Sequence, residues 1–596
     1  MISAPSARLA RLSAAIGLLC STSACASMSS STGSGAIDLS TSAPSPDPRV
    51  GLRAGWMDAG EAAWNLTVVA KRQPSDAFIN PSTPGDRRLI NSDLAFTRNY
   101  VIQGNYSGYQ VWDIANPANP ALVTAFVCPG SQGDVSVYHS LMFMSSEDQR
   151  GRKDCGMQGV PDTVSRERLR GIRIFDISDI ARPKLLTTVQ TCRGSHTHTV
   201  VTDPNDNANV YVYISGSAPV RSPNELEGCS DRPMEQDTST ALFRIEVIKV
   251  PLAAPEQARI VTSPRIFAGL APVMTHTDTG AVGLRPGRTV TQCHDITVYP
   301  AIGLAGGACA GYGLLLDIRD PANPKRIGEV ADPNFSFWHS ATFNNDGTKI
   351  LFTDEWGGGS QPRCRATDKP EWGADAIFTL ANGKMDFVSY YKLPAPQTSN
   401  ENCVAHNGSL IPVPGRDIMV QSWYQGGISI FDWTDPARAK EIAYHDRGPM
   451  DATKLVSGGT WSAYWYNGNI YSSEMSRGLD VFALKPSGLL SQNEIDAANT
   501  VRFDYLNAQS QPKASWPASF VVARAYVDQL ARGSGLAGQR VSAVRDELAR
   551  AERMSGSARQ AALSALASQL DADAQGSSDA ARVRKLAGVV RGIAGA

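Results

Sequence analysis

The chain has eight histidines, and four of them open short apolar segments of matching shape: His198 in HTVVTD, His294 in HDITVYP, His339 in HSATFNND and His406 in HNGSLIP. Neutral imidazole is a transition-metal ligand with bonds of about 2.0–2.2 Å, so four such rings brought together would hold one ion. Acidic residues end other segments of similar type: Glu147 in SSEDQRG, Glu355 in TDEWGGG and Glu474 in SSEMSRG. A carboxylate that accepts the second ring N–H fixes the tautomer and strengthens the ligand, and these three are expected in that role. Trp338, Trp356, Trp423 and Trp461 stand beside the same segments; their default role is core packing between blades, and the alternative is an apolar wall for a ligand site. His139, His196, His276 and His445 have no equivalents, although His196 is two residues from His198 and close enough to join it. The competing reading is packing, since a histidine recurring at one repeat position also serves a shared structural consensus.

Repetition is what would bring these residues together. GYQVWDIANPANP, GIRIFDISDIARP, GYGLLLDIRDPANP and GGISIFDWTDPARA each run from a glycine through a strand to an aspartate and a turn, and another strand follows. The repeated acids Asp113, Asp176, Asp317 and Asp432 are expected to accept backbone N–H groups two residues on, a turn role that needs no catalysis. Hairpins with Asn, Asp and Gly turns fill the intervals, so each unit is a four-stranded sheet. Radial repetition of such sheets is a propeller. The expected fold is an all-β seven-bladed β-propeller over residues 51–486, with a small C-terminal α-helical appendage over 487–596 read from its Ala/Leu/Arg periodicity. The first sheet is expected to lack a complete inner pair, and the segment 62–73 to supply the strand missing from the last.

Residues 1–26 have a basic start, a short apolar run and small residues before a cleavage site, which reads as a signal peptide. Residues 27–50 read as a Ser/Pro-rich linker, and Cys25 as a lipid anchor if the protein is a lipoprotein. No run of about 18 apolar residues follows, so no transmembrane helix is expected. The expected location is extracytoplasmic and bacterial: periplasmic, outer-membrane-anchored or secreted. There the eight cysteines beyond Cys20 and Cys25 are expected to be bridged. Their places in the blade alignment give Cys128–Cys155, Cys192–Cys229, Cys293–Cys309 and Cys364–Cys403. These would pin long inserts (147–170, 216–240, 267–292 and 356–374) on one rim, where function tends to sit.

The runs IFDISD…P and LLDIRDPANP resemble those of the LVIVD-repeat proteins, bacterial exported β-propellers, over roughly residues 60–486; that resemblance implies fold and no reaction. The four-histidine pattern is similar to the iron centre of the carotenoid oxygenases, and FTDEWGGG resembles a segment of the selenium-binding and methanethiol oxidase family, associated with copper. Both imply that a propeller channel can house one transition metal ion, iron or copper. Two functions follow. One is an exported propeller that presents a bridged loop face to a small-molecule, glycan or protein ligand. The other is a metal-dependent oxidase or oxygenase acting on a small or apolar substrate. A formal net charge of −1 argues against nucleic acid as a partner. No P-loop, dinucleotide fingerprint or serine nucleophile motif stands in a suitable context.

Overall fold

A computed structural model describes residues 40–273 and 289–595. The expected signal segment, the Cys25 anchor, most of the linker, His276 and the middle of the 267–292 insert lie outside the described residues.

The described chain is mostly β-structure, with five α-helices near its C-terminal end. The strand sequences explain the layering. The third strand of a unit, such as Gly171–Asp176 (GIRIFD), is apolar and buried on both faces, whereas the fourth, such as Lys325–Val330, alternates between exposed and half-buried residues. Sheets covered on both faces must stack against neighbours, and only the outermost strand meets water. At the end of each third strand the repeated aspartate makes its turn: Asp113, Asp176, Asp317 and Asp432 accept from the N–H two residues on at 2.8–3.0 Å.

Four sheets are antiparallel and four-stranded, with first strands Val135–Tyr138, Thr197–Asp203, Cys293–Tyr299 and Trp338–Phe343. A fifth begins with Asn91–Thr97 and carries the extra strand Tyr505–Asn507 on its inner edge. In the remaining sheet the first strands Asn407–Ile411 and Thr460–Tyr466 pair in parallel, fusing two four-stranded units. These first strands neighbour one another in chain order, and Thr460–Tyr466 returns to Asn91–Thr97. The arrangement is propeller-like.

Several expectations change here. The first sheet has a full inner pair, Asn91–Thr97 with Tyr100–Asn105. The N-terminal segment supplies two strands: Asn65, at φ 54°, breaks it into Glu61–Trp64, which adds to Lys440–Arg447, and Leu66–Arg72, which completes the last unit beside Gly478–Leu484. The end of the expected linker is firmly packed, because Arg49 is buried between Asp47 and Glu441 with its guanidinium over the Tyr444 ring.

Beyond Leu484 the chain caps the face opposite the histidines. Asn507 bonds both backbone groups of Val137, the Gln509 carbonyl accepts from Val298 N–H, and the Gln511 side chain bonds both backbone groups of Phe343. The helix Gln492–Ala498 precedes this segment and four helices follow it, and Arg416 at the rim holds Asp432 on one side and Glu494 of that first helix on the other. Four disulfides join the pairs given by the blade alignment: Cys128–Cys155, Cys192–Cys229, Cys293–Cys309 and Cys364–Cys403. Among the described residues no helix is long and apolar enough to cross a membrane.

Candidate metal centre

His294 and His339 sit near the start of their first strands, beside register shifts between Cys293 and Ile296 and between Trp338 and Ala341. A bulge re-aims side chains, and here the two rings come together with centroids 3.9 Å apart. His406 precedes Asn407–Ile411 and lies 4.1 Å from His339. The fourth ring of the row is His196, whose Nε2 is 2.7 Å from His294 Nε2. His198 does not join them: it packs towards Phe143, and its Nδ1 is 2.8 Å from Ser145 Oγ. Between Thr197 and Val201 the pairing is regular, so nothing re-aims His198 out of the contact between sheets.

Three of the four rings have an anchored Nδ1, while that of His339 is buried without a hydrogen-bond partner. His196 Nδ1 meets Glu147, His294 Nδ1 lies 3.0 Å from Asp295, and His406 Nδ1 meets the Trp461 carbonyl. A ring nitrogen facing a carbonyl must carry the proton, which leaves the lone pair of His406 on Nε2. That atom is buried without a hydrogen-bond partner and faces Glu355 at 3.7 Å, as His339 Nε2 does. Glu355 also accepts the Tyr424 hydroxyl at 2.5 Å. Two groups could thus hold a metal ion: His294 with Asp295 and His339, and His339 with Glu355 and His406, all buried.

The electrostatics favour neutral ligand rings. Burial pushes His406 down to about 3, and burial with its neighbours His294 and His406 puts His339 well below the ordinary value. His294 is lowered by burial and by His196. His196 is the exception: burial works against its charge, but Glu147 outweighs that and raises it to about 9. Glu355 is pushed up to about 8 by burial, against the Tyr424 hydrogen bond.

Of the three expected carboxylates, two face the row and one does not. Glu474 is taken by its own turn, accepting from the N–H groups of Ser476 and Arg477 and from the Arg477 guanidinium. Of the four tryptophans only Trp461 lines the open space, 5.1 Å from His406. Trp338 packs on Phe335 and Phe352 and Trp423 packs near Tyr391, both in core clusters, while Trp356 stacks on Trp372 beneath the cavity wall. That cavity is about 300 Å³, within the range of small-molecule sites. The sequence reading gave no role to Tyr424, Asp295 or Gln509, whose amide reaches Asp295 at 3.2 Å from the capping segment. Only Asp295 carried a signal, as the residue after His294.

No protein-family model and no curated protein matches the chain. Among solved structures it is similar to a putative 6-phosphogluconolactonase from Bacteroides fragilis, at 10% identity over 66% of this chain and 89% of that one, with a TM-score of 0.38. It is also similar to the periplasmic gluconolactonase of Pseudomonas aeruginosa (12% identity, 66% and 96% covered, TM-score 0.38). A third is hydrazine synthase of Kuenenia stuttgartiensis (10% identity, 69% and 98% covered, TM-score 0.41). No activity is carried over from any of them.

Proposed function

We propose that this is an exported, seven-bladed propeller that binds a small molecule at a histidine metal centre in its disulfide-braced rim. His294, His339 and His406 would hold the ion, with His196 or Glu355 completing the set. The observation that carries this reading is the buried, unpartnered Nε2 of His406, tautomer-fixed by the Trp461 carbonyl and facing Glu355 beside His339. Within that set, His339, His406 and Glu355 form the two-histidine, one-carboxylate group of open non-haem iron sites, which favours iron over copper. A bound ion would act as a Lewis acid and, as iron or copper, would support redox chemistry, so oxidase or oxygenase activity is the reaction class to assay. The four bridges support an oxidising, extracytoplasmic setting.

Elemental analysis of protein purified without chelators tests the centre. We expect about one iron per chain, lost in His339→Ala and His406→Ala. A protein that stays metal-free after reconstitution would sink the centre and leave a metal-independent ligand face.

A further inference from the structure

We infer that Arg87 is the anion-binding residue of the cavity, and that the ligand is a small monocarboxylate with an apolar body. This deepens the reading of the cavity as a small-molecule site.

The argument is a charge count. Five acidic, basic or imidazole side chains line the space: Arg87, Glu147, His196, His294 and Glu355. Four of them are engaged with each other or with a fixed partner. Glu147 is taken by His196 and by Ser217 Oγ at 3.0 Å, His294 by Asp295, and Glu355 by the Tyr424 hydroxyl. Arg87 has neither a carboxylate nor a hydrogen-bond acceptor among the described residues. The contrast with its surroundings is sharp: Arg88 pairs with Asp86, Arg150 with Asp148 and Arg477 with Glu474.

Arg87 lines the cavity together with the phenols of Tyr106 and Tyr424. A guanidinium presents a planar fork that matches a carboxylate. Around it, Ile90, Phe337, Trp461 and Met475 supply apolar surface. A ligand that matches this lining carries one negative group at Arg87 and an apolar remainder against Trp461.

Calorimetric titration with benzoate and with neutral benzamide tests the assignment, on wild type, Arg87→Gln and Arg87→Lys, each chelator-treated and iron-loaded. Arg87 is exposed, so neither substitution threatens folding. Wild type should bind benzoate at least about tenfold more tightly than benzamide, Arg87→Gln should lose that preference with benzamide unchanged, and Arg87→Lys should keep part of it. The preference should survive in metal-free protein, so failure of the metal centre leaves the comparison readable. The inference is overturned if wild type does not bind benzoate or binds the two probes equally. It is equally overturned if Arg87→Gln retains the preference, or if removing iron abolishes it while the substitution does not.

Discussion

His196 and His198 are two positions apart and end in different surroundings, and the difference is a matter of where a strand is irregular. His294 and His339 lie at register shifts that turn them out of the sheet contact, while His198 lies in a regular stretch and stays between sheets. A repeat alignment sees residue types at matching places but not bulges, so it picks the histidine inside the strand and misses the one before it. Glu147 and Glu355 were legible because they end the strand beside a histidine-bearing one; Glu474 looked the same, but Arg477 three residues on captures it. Substitution separates these roles. His198→Ala should leave metal content unchanged and cost about 1–3 kcal/mol of stability through the lost packing and the orphaned Ser145 contact, read by denaturant unfolding. His196→Ala should instead weaken metal binding, with a stability cost of its own because Glu147 loses its imidazole partner. Glu147→Gln should lower metal affinity about 10–100-fold while the fold stays intact, since it removes the carboxylate that orients His196. Equal metal affinity in Glu147→Gln and wild type, measured by competition with a chromogenic chelator, would remove Glu147 from the centre.

Among the elements, the repeating strands were readable and the segments that tie them together were not. The strand-turn-strand units announce themselves by composition, whereas the capping segment works through the side-chain amides of Asn507 and Gln511 on backbone groups of the first strands and that of Gln509 on the Asp295 carboxylate. Helices were visible in the Ala/Leu/Arg pattern of the tail, but the residue that docks them, Arg416, sits in a propeller hairpin and gave no signal. Arg416 is buried between Asp432 and Glu494, and Arg532 of the helix Phe520–Arg532 adds a second contact to Glu494. Burial tends to raise both carboxyls, but Arg416 outweighs it and holds them below their ordinary values. A carboxylate depressed on folding gives stability that is fully present above its unfolded value, about 4, and that is lost as pH falls through the folded one. The tail should therefore become protease-sensitive below about pH 4 before the β-sheet signal is lost. Arg416→Met should cost about 3–5 kcal/mol at neutral pH, because it leaves Asp432 without its cation and Glu494 with Arg532 alone, and the deficit should shrink on acidification. A deficit independent of pH in thermal unfolding would assign the effect to packing instead.

For the molecule as a whole, the ring of first strands and the disulfides divide the work. Sheet stacking holds each unit against the next and needs no cross-link, as the buried third strands show. The bridges stand where the chain leaves regular structure to present the histidines. Cys293 immediately precedes His294 and is paired across the hairpin with Cys309; Cys192 is four residues before His196, and Cys403 three before His406. Their matching places in the blade alignment, with the expected extracytoplasmic setting, made this pattern legible without coordinates. What the pairing could not show was that the bridged backbone is the same backbone that carries the ligand row. Each bridge is worth about 2–4 kcal/mol in ordinary cases, but its larger effect here should be local. Reduction and alkylation under native conditions should preserve the far-ultraviolet β spectrum while weakening metal affinity at least tenfold, and the paired substitution of Cys364 and Cys403 by alanine should reproduce part of that loss beside His406. If reduced protein binds iron as tightly as oxidised protein, the bridges brace only the outer inserts and the histidine row is held by the sheets alone.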